Sequence, residues 1–217
     1  MKGMDTTIRR GGKQTPDGFL FELSGGDLSL DFVNTVDCRP TESPRELLPN
    51  AHELYSWSRQ AGLLSRKQEE ALQAAALRRP SQAESARRKA IAIRECLYRM
   101  LQHLTDGKPV PRELVSEWNG YAHRALQNYK LAPAEEGLAW LPDSEPAALD
   151  SVLWPVVHAA VGLLTGPHAG RIRRCAAEKC DWVFLDTSKR GNRRWCDMSV
   201  CGNRAKAQRF YRRSKGK

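Results

Sequence analysis

The chain reads as mainly α with short β-strands, an α+β protein in which a helical N-terminal domain precedes a small metal-stabilised module of hairpin and helix. Three observations predict this: helical apolar periodicity through the first three quarters, two cysteine pairs near the end, and a charge that changes sign between the parts. Residues 1–170 hold 20 Lys and Arg against 21 Asp and Glu, a net of −1, whereas 171–217 hold 15 against 4, a net of +11. The change falls on Gly166-Pro167-His168-Ala169-Gly170, where Gly and Pro together mark a boundary with few expected contacts across it. The expected organisation is therefore a flexible basic leader over 1–16, a helical domain over 17–166 and a cysteine module over 171–217.

Taken in order, Phe19 to Leu23 predicts a short strand ended by Gly25-Gly26. Asp27 is an N-cap for a helix through Val36, with Leu28, Phe32 and Val36 on one stripe. Asn50 caps a second helix closed by Gly62, and Ser65 a third. Pro80-Ser81 opens a long helix to about Thr105. Ala90, Ile93, Leu97, Met100, Leu101 and Leu104 form its apolar stripe, with Arg87, Arg88, Lys89 and Arg94 on the wet side. Pro111 opens a helix through about Gln127, and Tyr129–Ala132 with Gly137–Leu141 predicts a hairpin. Ala147 to Thr165 is a strongly apolar helix, expected to be central and to kink or restart at Pro155.

In the tail, Cys175/Cys180 and Cys196/Cys201 each enclose four residues and are separated by fifteen. Two such pairs are how a chain delivers four thiolates to one tetrahedral Zn²⁺. Two disulfides, or four unrelated thiols, are the alternatives, but disulfides need an oxidising compartment and the start of the chain shows no apolar run of the kind that directs a protein to one. Cys38 and Cys96 stand far away and read as ordinary thiols. Trp182–Leu185 predicts a strand and Arg190-Gly191-Asn192 a turn, so a hairpin is expected within the spacer. Four thiolates on Zn²⁺ leave a net charge of −2, which offsets only part of the local positive charge. The remainder suits phosphate, presented by two elements. The turn offers Lys189, Arg190, Asn192, Arg193 and Arg194. The helix after Cys201 offers Arg204, Lys206, Gln208, Arg209, Arg212 and Arg213, with Arg204 and Gln208 the candidate base readers and Ala207 and Phe210 expected to pack on Trp195 and the hairpin.

No catalytic signature is present: there is no HExxH, GxSxG, P-loop or dinucleotide glycine motif, and the five histidines share no spacing. A shell of four thiolates leaves no open position for water, so the expected metal role is structural and the expected protein is not an enzyme. Asp31 and Asn34, one turn apart on an apolar helix, have two open readings: lining a small-molecule pocket, or satisfying buried backbone groups. No apolar run is long enough to span a membrane.

The segments CDWVFLDTSKRGNRR and WCDMSVCGNRAKAQRFYRR resemble the CGNR-type zinc finger of bacterial proteins, named for the tetrapeptide at Cys201–Arg204. LSLDFVNTV and LLPNAHELYSWSRQAGLLS resemble the ABATE-type domain, described as a stress-induced transcription regulator, which commonly precedes that finger. The resemblance implies a cytoplasmic DNA-binding regulator whose finger holds one structural zinc. The helical domain would then sense a small-molecule effector or form a homodimer. RNA binding is a second reading. A third is a ligand-binding or enzymatic first domain with the finger as a docking module.

Overall fold

The computed structural model describes residues 11–16, 18–143 and 148–215, with backbone alone at 212, 213 and 215. The first ten residues of the expected leader and Ala147 of the expected central helix lie outside the described residues. Residues 12–15 are not a loose leader. They form β1 (Gly12–Thr15), paired antiparallel with β2 (Gly18–Phe21).

Asp27 caps α1 (Leu28–Val33) by accepting from Ser29 N at 2.8 Å. The helix ends at Val33 rather than at Val36, because Asn34 takes the C-cap and Val36 enters β3 (Val36–Asp37) opposite β4 (Arg45–Glu46). Asn50 caps α2 (Ala51–Gln60), and a reciprocal box of Ser65 with Gln68 opens α3 (Arg66–Arg78). Pro80 stands at the first position of α4 (Pro80–Thr105), where its missing N–H costs nothing. Then come α5 (Arg112–Leu126), β5 (Tyr129–Pro133) paired with β6 (Leu138–Pro142), and α6 (Leu153–Thr165). Pro155 falls in the first turn of α6, so it fits the helix start and neither kinks nor restarts it.

The core lies where α4 meets α1, α2, α3, α5 and α6. Leu97 and Leu101 of α4, Leu30 and Phe32 of α1, Trp57 of α2 and Val156 of α6 are all fully buried there. The longest helix thus shares the central place expected for α6 alone. Arg94 corrects the reading of the wet side: it is buried at 2% exposure and paired bidentately with Glu46 at 2.6 and 2.7 Å. It also bonds Glu95 at 2.9 Å and Thr35 Oγ1 at 3.1 Å, so the buried charge is fully served and ties α4 to β4.

Candidate metal centre and basic surface

After a short 3₁₀ turn (Ala169–Arg171), β7 (Ile172–Arg174) pairs antiparallel with β8 (Val183–Leu185). The hairpin therefore encloses the first cysteine pair. It does not lie between the two pairs as the spacer length had suggested, because the partner of Trp182–Leu185 is upstream rather than beyond the Arg190-Gly191-Asn192 turn. Cys175 N donates to Trp182 O at 2.7 Å and Cys180 N to Ala177 O at 2.9 Å, which closes the first knuckle. The second knuckle is a π-helical turn (Met198–Gly202) leading into α7 (Asn203–Lys215). Asp197 caps it, accepting from Val200 N at 2.7 Å and Ser199 Oγ at 2.6 Å.

These two knuckles bring Cys175, Cys180, Cys196 and Cys201 together, all four buried and with their sulfurs within 4.8 Å of one another. Cys180 and Cys201 each lie 3.6 Å from Cys196, Sγ to Sγ. A disulfide needs about 2 Å, whereas four thiolates about 2.3 Å from one Zn²⁺ stand about 3.8 Å apart. The donor set and its spacing fit a tetrahedral soft-ligand ion. Four buried sulfurs this close cannot all be ionised unless a cation sits among them. Cys96 is buried in the helical core and Cys38 sits in the β3–β4 connection, both outside this cluster.

Strand alternation on β8 divides its side chains between two cores. Val183, with Ile172 of β7, joins the helical core, while Trp182 and Phe184 pack with the four cysteines. The hairpin is further sewn to the helical body. Asn34 donates from Nδ2 to Val183 O at 2.8 Å and accepts from Val183 N at 2.9 Å. Trp182 Nε1 donates to Val36 O at 2.9 Å, and Leu185 N to Gly25 O at 2.8 Å. Tyr98 donates to Asp181, and Arg174 bridges Asp106 at 2.5 Å and Asp181 at 3.2 Å. Burial, and then the Asp181 carboxylate, push the Tyr98 phenol up, so it remains the donor. The expectation of few contacts across the Gly166–Gly170 boundary is therefore overturned. Charge and apolar content are independent properties: the basic side chains face water while the strand backs onto the core.

Asp31, the other member of the predicted pair, accepts from Gly25 N at 2.7 Å. Burial raises its carboxyl to about 6 despite that bond.

On the surface, Lys189, Arg190, Asn192 and Arg194 of the turn are exposed, as are Arg204, Lys206, Gln208 and Arg209 of α7. Among the described residues, none of the six cations in this set meets a carboxylate. Arg193 differs. Its guanidinium donates to Trp195 O at 2.9 Å and to Cys196 O, and lies 4.5 Å over the Phe184 ring. The side chains of Arg212 and Arg213 lie outside the described residues. Phe210 and Tyr211 are 69% and 65% exposed, so Phe210 does not pack on Trp195. The helical repeat turns Ala205, Gln208 and Arg209 toward Trp195, leaving Phe210 on the opposite side.

One further residue, part of no metal-ligand or basic motif, organises the spacer. Asp186 is fully buried and accepts from Ser188 N and Arg193 N, each at 2.9 Å. Hydrogen bonds from Ser188 and from the Arg193 backbone hold its carboxyl below the usual carboxylate range. The signal in the sequence is an Asp followed two residues on by Ser, the pattern of an Asx turn.

Residues 171–214 match the CGNR zinc finger family, and residues 26–167 match the family described as "Putative stress-induced transcription regulator" (ABATE). No curated protein matches the chain. The second of these matches covers about two thirds of the sequence. The chain thus belongs to the ABATE family and carries a CGNR zinc finger after the family domain.

Proposed function

We propose that this protein is a DNA-binding transcriptional regulator whose finger, folded around one structural Zn²⁺, contacts the phosphate backbone while the helical body responds to an effector or to a second copy. The observation that carries the reading is the row of exposed cations that form no salt bridge among the described residues: Lys189, Arg190 and Arg194 on the turn, Arg204, Lys206 and Arg209 on α7. A surface of this kind, held on a metal-fixed scaffold, is suited to phosphate. Zinc is the ion of choice because four thiolates at this spacing favour a soft, tetrahedral cation and leave no ligand position open. On this account the metal contributes folding free energy, the protein is not an enzyme, and it works in the cytoplasm. The finger is then no mere docking module.

Binding of the zinc-loaded chain to labelled duplex DNA across a salt series tests this. If the six cations meet phosphates, log K against log[salt] should slope at roughly −5. Salt-independent binding, or none to duplex or single strand at low salt, would sink the reading. Tighter binding to RNA than to DNA of the same sequence would transfer it to RNA.

A further inference from the structure

Beneath α7, between the first knuckle and Trp195, lies a cavity of about 310 Å³ that borders the cation row, sharing Arg194 and Arg209 with it. Its walls are Trp195, Ala177 and Ala205, and its polar groups are Gln208, Arg209 and Glu178, with Arg194 at the rim. Trp195 packs one part of its indole against the cysteine cluster and shows another part here, half-buried, with the Arg194 guanidinium 5.5 Å from its ring. The volume is at the lower end of small-molecule sites, which begin at about 300 Å³, and so suits one planar ring system.

We propose that this cavity receives a single unpaired nucleobase, an inference that rests on the nucleic-acid reading above. Three features select that ligand. The indole and two alanine methyls form walls for a flat apolar face. Beside them stand the Gln208 amide, which both donates and accepts, and the Arg209 guanidinium, which donates, groups that complement a base's hydrogen-bonding edge. Arg194 and Arg209, against the one carboxylate of Glu178, leave the lining net positive, which disfavours a cationic ligand and suits a base still attached to phosphate. A base stacked and paired in duplex cannot enter. The occupant must come from a bulge, an end or a single strand, of DNA or of RNA.

The test uses the zinc-loaded full chain and fluorescence anisotropy at one salt concentration. Its probes are a perfect duplex, the same duplex with one extra unpaired nucleotide, that duplex with the extra nucleotide abasic, and matching single strands of DNA and RNA. The unpaired base should tighten binding on the order of 10-fold over the perfect duplex, and the abasic form should lose the gain. Ala205→Leu, which fills the cavity without removing a cation, should cancel the gain while leaving duplex affinity and salt slope unchanged. Should that variant fail to hold zinc, Gln208→Ala, at an exposed position outside the knuckles, should lower the gain instead. Equal binding of the bulged and abasic duplexes would overturn the cavity proposal and leave the electrostatic reading standing. No binding to any probe would overturn both. The DNA and RNA strands identify which nucleic acid supplies the base.

Discussion

Arg193 illustrates how a single residue's role is decided by what it touches. By composition it belongs with its neighbours Arg190 and Arg194, yet its guanidinium serves the carbonyls of Trp195 and Cys196. Arg193→Ala should therefore loosen the second knuckle and speed metal loss to a chelator, with little change in salt slope beyond that. Replacing Arg190 and Arg194 together should leave metal retention intact and flatten the slope by up to about two, for all sequences alike. Cys196→Ser should release the metal and unfold the second knuckle while most helix signal persists, read by zinc content and far-UV circular dichroism. Asp31 gives a pH signature. Its folded carboxyl is pushed up to about 6 by burial, above the ordinary 3.8 of a free aspartate, so the folded state holds the proton more tightly. Stability should then fall as pH rises from about 4 to about 6, and Asp31→Asn should flatten that dependence in urea melts at fixed pH values.

At the scale of elements, β8 and α7 are opposites. The strand is buried on both faces, with Val183 in one core and Phe184 in the other. The helix meets the rest of the molecule mainly through the π-helical turn that starts it, and its other contacts line the cavity beside Trp195. An isolated helix of this length is marginal in water, so its outer turns gain little from packing. Deleting residues 203–217 should leave metal content and thermal midpoint nearly unchanged and flatten the salt slope by about half, since three of the six cations lie on α7. A large drop in midpoint would show that α7 stabilises the finger rather than extending from it. The β8 connection predicts the reverse. Asn34→Ala strips the partners from a buried N–H and C=O of Val183 and should cost about 2–4 kcal/mol in a denaturant titration.

For the molecule as a whole, the finger hairpin and the helical body share a core. A chain ending at Gly166 would expose the surfaces that Ile172, Trp182 and Val183 cover, together with Val36 O and the Asn34 amide. Such a chain should melt earlier and less cooperatively than the full protein. Removing the metal from the full chain should also lower the midpoint followed by helix signal, because the knuckle that holds β8 loosens. Independence of the two signals would show that the shared core carries little energy. This sharing also offers a route between the body and the finger: Tyr98 and Asp106 of the α4 region meet Asp181 and Arg174 beside the first knuckle.

Local rules in the amino-acid sequence were enough for the helix starts at Asp27, Asn50, Ser65 and Pro80, the β5–β6 hairpin and the grouping of the four cysteines. Each depends on neighbours within a few residues, or on a ligand type with one strong preference. Only the tertiary structure decided the rest. Arg94 looked solvated because its partner Glu46 is 48 residues away. Phe210 looked packed because a helix face must be placed against something before its burial is known. The β7 partner of β8, and the anchoring of that hairpin on Asn34, are contacts across up to 149 residues that no local pattern encodes. The charge break at Gly166–Gly170 marks where the surface changes character. Where the core stops is a separate matter, because burial follows the inward faces of strands and helices and surface charge follows the outward ones.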